Sequence, residues 1–202
     1  MKTTFSFIVI LTLCINYSNS QTAYEYYKRG LTKNNLEDYM GAIQDFNKAI
    51  EINPRYSEAY YNRGVVKGSL EDYRGAIQDY TKAIEINPRY LGAYVNRGVA
   101  KNTLEDHRGA IADFNKAIEI DPRDSEAYYN RGVAKDRLED FRGAIQDYTK
   151  AIEINPRFSK AYFNRGSAKF SLGDKNGACL DFSKAGELGD GKAYEVIRKF
   201  CN

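Results

Sequence analysis

Histidine occurs once, tryptophan is absent, and cysteine appears three times in 202 residues. A lone imidazole, His107, offers neither a catalytic triad nor a zinc cluster, both of which set histidine beside further ligands. Elsewhere in the chain its place is taken by Tyr73 or Phe141, so it reads as an aromatic-site substitution on a helix surface. The sequence lacks a nucleophile elbow, a glycine-rich phosphate loop and a CxxC pair, which argues against an enzyme and leaves no cofactor or metal expected. Charge of one sign is scarce too. Thirty basic against 27 acidic side chains, evenly interleaved, leave a net charge of +3, which is no footprint for nucleic acid. Hydrophobic residues at 43% and charged residues at 28% argue against disorder and against a polytopic membrane protein.

One apolar run stands out, Phe5 to Ile15, but eleven residues cannot cross a hydrocarbon core of about 30 Å as a helix. Lys2 precedes it, and Ser18 and Ser20 follow at the −3 and −1 positions of a cleavage site before Gln21. Residues 1–20 therefore read as a secretory signal peptide. Lipidation at Cys14 is disfavoured, because Leu13 stands where a small residue belongs. The mature chain is expected outside the cytoplasm: periplasmic, extracellular or associated with the cell envelope, and with no membrane span after cleavage.

Proline is also rare, and its placement is informative. Pro54, Pro88, Pro122 and Pro156 recur every 34 residues, and the run 57–90 returns as 125–158 with five differences. Sister copies lie at 23–56, 91–124 and, more divergent, 159–192, leaving 193–202 as a tail. A fixed period of this length marks a solenoid. Each repeat reads as two helices. Tyr60, Gly64 and Leu70 share one side of the first, while Ala76, Ile77, Tyr80, Ala83 and Ile84 follow helical spacing in the second. Asp38, Asp72, Asp106, Asp140 and Asp174 stand where they can cap the second helix, and the prolines end each repeat. The Glu-Asp pairs such as Glu71-Asp72 look like catalytic carboxylates, yet their recurrence at a helix start assigns them to capping. Small residues at Gly64 and Ala83, present in every copy, allow close helix approach, with the ring of Tyr60 or Tyr80 filling the remaining space.

Tyr60, Gly64, Ala76, Tyr80, Ala83 and Pro88 together resemble the tetratricopeptide repeat, over residues 23–192. The fifth copy has Asp190 in place of proline, and its segment KAGELGDGKAYEVI also resembles a Sel1-type repeat. The resemblance implies an all-α fold, a right-handed α-solenoid of helix-turn-helix repeats, closed here by a short C-terminal capping helix over 193–202. Known clamps for chaperone carboxyl tails in this family need side chains that Tyr27, Leu31, Gly92 and Asn96 do not supply, so that role is not expected.

Three departures from the family recur in all five copies. Position 7 is arginine (Arg29, Arg63, Arg97, Arg131, Arg165), position 11 is lysine (Lys33 and equivalents), and position 19 is glycine (Gly41 and equivalents). Aspartate recurs at position 23, and a half-buried arginine needs a carboxylate. One ion pair per repeat is expected: Arg63 with Asp79, Arg97 with Asp113, Arg131 with Asp147 and likewise at the ends. The glycine has no explanation at this level beyond close packing. In the tail, Ala193 and Tyr194 match Ala161 and Tyr162, and Ile197 falls where arginine stands elsewhere, as suits a terminal cap. Cys179 and Cys201 lie on helices expected to touch, which leaves open either a disulfide or two small buried thiols.

By the resemblance, first-helix positions 2, 5, 6, 9, 12 and 13 face a concave groove. Position 6 is asparagine in four copies, Asn62, Asn96, Asn130 and Asn164, with Lys28 in the first. Such a row offers donors and acceptors suited to the backbone of an extended peptide. Position 5 runs Tyr27, Tyr61, Val95, Tyr129 and Phe163, an aromatic face of the kind interfaces favour. The other reading makes the asparagines plain surface residues and packs these rings inside the solenoid. The expected function is a non-catalytic scaffold, a monomer, for an unidentified protein or peptide partner. The alternative is a self-associating component of a cell-envelope assembly that uses the solenoid ends or convex face.

Overall fold

The computed structural model describes residues 22–201, so the expected signal peptide, with Cys14, lies outside the described residues. Among the described residues the chain is all-helical. Helix α1 covers 22–35, followed by α2 (Tyr39–Ile52), α3 (Ser57–Ser69), α4 (Tyr73–Ile86), α5 (Leu91–Thr103), α6 (His107–Ile120), α7 (Ser125–Arg137), α8 (Phe141–Ile154), α9 (Ser159–Ser171), α10 (Lys175–Glu187) and α11 (Gly191–Phe200). They follow one another as helix-turn-helix pairs. Two compact units divide after Ala93, within α5. Among the described residues no helix is long and apolar enough to cross a membrane.

The turn inside each repeat is made by two consecutive acidic residues. Glu71 N–H donates to Gly68 O at 3.0 Å and Asp72 N–H to Lys67 O at 2.9 Å, the paired bonds of a Schellman motif, which satisfy the last carbonyls of α3. Closing that motif puts Glu71 at φ 62°, with Glu37, Glu105 and Glu139 alike. Glycine takes the same place in the fifth repeat, Gly173, at φ 85°. Asp72 then starts the next helix: its carboxylate accepts from Gly75 N–H at 2.9 Å. Its other oxygen occupies the space that a Cβ on Gly75 would need, as the equivalent aspartate does at Gly41, Gly109, Gly143 and Gly177. The recurrent glycine, opaque in the sequence, is thus fitted to the capping carboxylate in front of it.

Alanines and one aromatic ring per repeat form the core. Ala76, Tyr80, Ala83 and Ala93 make one cluster, and Ala144, Tyr148 and Ala168 another. A Cβ on Gly64 would fall 2.7 Å from the Tyr80 ring, and Phe46, Phe114, Tyr148 and Phe182 cover Gly30, Gly98, Gly132 and Gly166 in the same way. The ring that fills this space is therefore the one on the second helix. Tyr60 lies elsewhere, with the Arg63 guanidinium 5.4 Å from its centroid. Each such buried ring contributes about 2 kcal/mol through the surface it removes from water.

The aspartates at position 23 are buried in all five repeats. Asp79 accepts from Arg63 Nε at 2.9 Å and Nη2 at 2.5 Å, the bidentate geometry only guanidinium provides. Asp45, Asp113, Asp147 and Asp181 hold Arg29, Arg97, Arg131 and Arg165 alike. A second cation completes each site: Lys67 Nζ is 2.8 Å from Asp79 Oδ2, with Lys33, Lys101, Lys135 and Lys169 in register. The lysine at position 11 and the arginine at position 7 are therefore one departure from the family pattern. The remaining guanidinium arm reaches the repeat before: Arg63 Nη1 donates to Asn47 Oδ1 at 2.6 Å and Arg131 Nη1 to Asn115 Oδ1 at 2.7 Å.

The tail closes on α10. Ala193 is buried, and Tyr194 donates from its hydroxyl to Gly186 O at 3.1 Å. The Phe200 ring packs 5.2 Å from that of Phe170. Cys179 and Cys201 form a disulfide with Cα atoms 5.7 Å apart.

Candidate functional site

In the N-terminal compact unit, α1 carries Tyr27 and Lys28, and α3 carries Tyr61 and Asn62. The Tyr27 ring sits 5.0 Å from Tyr56 and 6.0 Å from Phe46. Tyr61 repeats the arrangement with Tyr90 at 4.8 Å and Tyr80 at 5.9 Å. Asn62 Nδ2 donates twice, to the Tyr27 hydroxyl at 3.1 Å and to Glu58 O at 2.8 Å. Lys28 is exposed, its ammonium 5.7 Å from the Tyr24 ring centroid. Burial and the nearby Glu58 carboxylate push the Tyr27 hydroxyl above its ordinary pKa, and burial pushes Tyr56 up to about 12. These hydroxyls stay neutral at any working pH.

The C-terminal compact unit repeats the pattern. Tyr129 on α7 packs 4.8 Å from Phe158 and 5.8 Å from Tyr148. Asn164 on α9 donates from Nδ2 to the Tyr129 hydroxyl at 3.1 Å, and Phe163 lies 5.4 Å from Phe182. Asn96 on α5 and Asn130 on α7 are half-buried. Beside Tyr129 and Asn164 opens a cavity of about 720 Å³, walled by Phe163 and Lys160 on one side and by Asp190 and Lys192 at the start of α11 on the other. Aromatic floor, amide and charges of both signs suit a segment of polypeptide better than a compact anion. Among the described residues no group of three or more histidine, cysteine or acidic side chains is placed to hold a metal ion. His107 is half-buried at the start of α6, its Nδ1 2.6 Å from Asn102 Oδ1.

Two features differ from the row expected at position 6. Asn62 spends both N–H groups, on the Tyr27 hydroxyl and Glu58 O, which leaves its Oδ1 acceptor, whereas Asn164 gives one N–H to the Tyr129 hydroxyl and keeps the other beside its Oδ1. The position 5 rings are half-buried and pack within the protein as well as facing outward. Tyr27, Tyr61 and Tyr129 each pack on the last residue of their own repeat, Tyr56, Tyr90 and Phe158. The sequence carries a signal for this pairing, since aromatic meets aromatic in three of the five repeats, while Val95 goes with Asp124 and Phe163 with Lys192. Asp124 does other work, accepting from the N–H groups of Glu126 and Ala127 at the start of α7.

Sequence profiles described as "Tetratricopeptide repeat" match residues 57–90 and 125–158, and profiles described as "TPR repeat" match 23–70 and 103–138. No curated protein sequence matches. Among solved structures, the crystal structure of MamA protein is 27% identical at a TM-score of 0.77, covering 89% of this chain and 96% of its own. YrrB, described as a TPR protein with an unusual peptide-binding site, superposes with a TM-score of 0.76 at 21% identity, over 91% of this chain and 95% of that one. PilF of Pseudomonas aeruginosa does so with a TM-score of 0.78 at 17% identity, over 89% and 82%. These last two likenesses speak for the fold alone. Profile matches, helix-turn-helix pairs and shared fold agree: the chain belongs to the tetratricopeptide repeat family, whose repeats serve as scaffolds for contact between proteins.

Proposed function

We propose that the protein is an exported, non-catalytic scaffold whose first helices hold an extended peptide or protein segment. The observation that carries this reading is the cavity beside Tyr129, Phe163 and Asn164, where aromatic surface, an open amide acceptor and the start of α11 converge. The peptide-binding site named for YrrB, on the same fold, supports it by analogy. Export rests on residues 1–20, and a disulfide between Cys179 and Cys201 suits an oxidising compartment.

Association through the N-terminal end is the weaker reading on one observation. Val66 on α3 is buried against Ala42 and Phe46 of the repeat before it. Its counterpart on α1 is Thr32, exposed and polar, and Glu25 stands where the other repeats bury alanine. That face is dressed for water, as the first repeat of an array requires.

The test is selection of random-sequence displayed peptides on the mature chain, followed by titration of the synthesised winners. Wild type should bind them, and a variant with alanine at Asn62, Asn96, Asn130 and Asn164 should bind at least about tenfold more weakly, a loss of about 1.4 kcal/mol. Circular dichroism checks that both are folded. Raising salt to about 0.3 M should change the affinity little, since contacts rather than long-range charge hold the ligand. Undiminished binding by the variant would sink the reading.

A further inference from the structure

Four of the five repeats carry an aromatic ring at position 5. Three of those rings pack on the ring that ends their own repeat: Tyr27 on Tyr56 at 5.0 Å, Tyr61 on Tyr90 at 4.8 Å and Tyr129 on Phe158 at 4.8 Å. Phe163 is the exception. Among the described residues it meets one ring, Phe182 of its second helix, at 5.4 Å, and its repeat ends in Lys192. The backbone places that lysine differently as well. Tyr56, Tyr90 and Phe158 each stand just before a helix, ahead of α3, α5 and α9, and Phe158 is buried. In the fifth repeat Gly189 turns the chain at φ 94°, Asp190 accepts from the Lys192 N–H at 3.1 Å, and α11 begins already at Gly191. Lys192 therefore lies within the first turn of α11 and is exposed. Between Phe163 and this rerouted segment, where the fourth repeat seats Phe158 on Tyr129, opens the cavity of about 720 Å³. The third repeat drops both members, with Val95 and Asp124, and so leaves no ring uncovered.

A ring left facing a cavity is a favourable seat for another ring, since the pairing removes apolar area from water and adds tilted or offset contact between two quadrupoles. Three sister repeats show the geometry of that seat, at 4.8 to 5.0 Å between centroids. Charge does not compete for it: Lys160 and Lys192 on the cavity wall are matched by Asp190 and Glu195. We propose that this cavity is an anchor pocket for one aromatic side chain of the bound polypeptide, a phenylalanine or tyrosine that lies on Phe163 as Phe158 lies on Tyr129. The partner thereby supplies the ring that the fifth repeat lacks. The assignment rests on the peptide-binding reading above and names the residue class that reading leaves open.

The chain has no tryptophan, so a tryptophan in the ligand reports its own surroundings. Peptides selected from a random-sequence display library on the mature chain should share one aromatic residue. Its replacement by alanine should raise Kd about tenfold or more, as loss of a buried ring implies. With tryptophan in that place, emission should move to shorter wavelength on binding to wild type. Gly191→Phe fills the pocket from its wall, since Gly191 lines it and a Cβ there meets nothing within 4 Å. That variant should melt no lower than wild type and yet bind at least about tenfold more weakly, a pattern that damage to the fold cannot produce. Selected peptides that lack an aromatic residue, an emission that does not move, or full affinity for Gly191→Phe overturn the assignment. Any of these leaves the broader reading standing if the variant with four alanines for asparagine still loses binding. Failure to select any peptide overturns both. Should Gly191→Phe not fold, Phe163→Leu, which keeps an apolar side chain against Phe182, decides by the same loss of affinity.

Discussion

Asn164 gives its amide to the Tyr129 hydroxyl at 3.1 Å, so a side chain facing the cavity also ties one repeat to the next. Two asparagines at the same position should consequently differ in what their loss does to stability. Asn164→Ala is expected to cost about 1 kcal/mol, the net worth of a hydrogen bond. Asn130→Ala should stay within about 0.5 kcal/mol of wild type. Denaturant midpoints of the two variants check this, and equal costs would contradict it.

The Tyr148 hydroxyl is buried without a hydrogen-bond partner among the described residues. Phe46, Phe114 and Phe182 fill the same place in other repeats. Tyr148→Phe removes an unsatisfied group and keeps the ring, and should stabilise by about 1 kcal/mol. Burial also drives this hydroxyl far above its ordinary pKa, so ionisation does not complicate the measurement. A lower melting temperature for the variant would mean that the hydroxyl finds a partner in solution.

Four glutamates sit at positive φ, with values from 60° to 65°. A side chain there costs roughly 1–2 kcal/mol relative to glycine, offset in part by the greater freedom glycine has when unfolded. Glu71→Gly should therefore stabilise by about 0.5–1 kcal/mol, as Gly173 in the fifth repeat anticipates. The midpoint of urea unfolding reads it, and a destabilised variant would show that the carboxylate matters more than the backbone.

Asp79 balances two cations, Arg63 and Lys67. Asp79→Asn leaves both without their carboxylate and should cost about 3 kcal/mol. At Asp45, hydrogen bonds from Arg29 hold the carboxyl below its usual range, against the opposing effect of burial. A lowered folded-state pKa contributes stability above the unfolded value of about 3.9, and that contribution is lost as pH falls through the folded value. Stability measured from pH 5 down to pH 2 should drop less steeply in Asp45→Asn than in wild type. Identical acid limbs would remove Asp45 from the account.

The disulfide ties residue 201 to α10 across a separation of 22 residues. Cys201→Ser should cost about 3 kcal/mol in a two-state description, chiefly by freeing the unfolded chain. Hydrogen exchange should localise the native-state effect to α11, with α2 to α4 unchanged. Since Asp190 and Lys192 wall the cavity, the same variant should also bind selected peptides more weakly.

Much of this molecule is written in residues close together along the chain. The helices, the aspartate caps and the proline stops all depend on contacts within about one helical turn, so a 34-residue period repeated five times reads directly as helix-turn-helix pairs. The partnership of Arg63 with Asp79 was legible too, because a half-buried guanidinium demands a carboxylate and the aspartate at position 23 recurs in phase with it. Tertiary structure decided what depends on distance across the fold. Lys67 joins Asp79, Tyr80 rather than Tyr60 covers Gly64, and Cys179 meets Cys201 rather than remaining a free thiol. It also separated the asparagines, spending Asn62 and Asn164 on hydroxyls 35 residues away and leaving Asn130 open. A sequence states which groups can bond. Only packing brings one donor within 3 Å of one acceptor and leaves an identical donor with none.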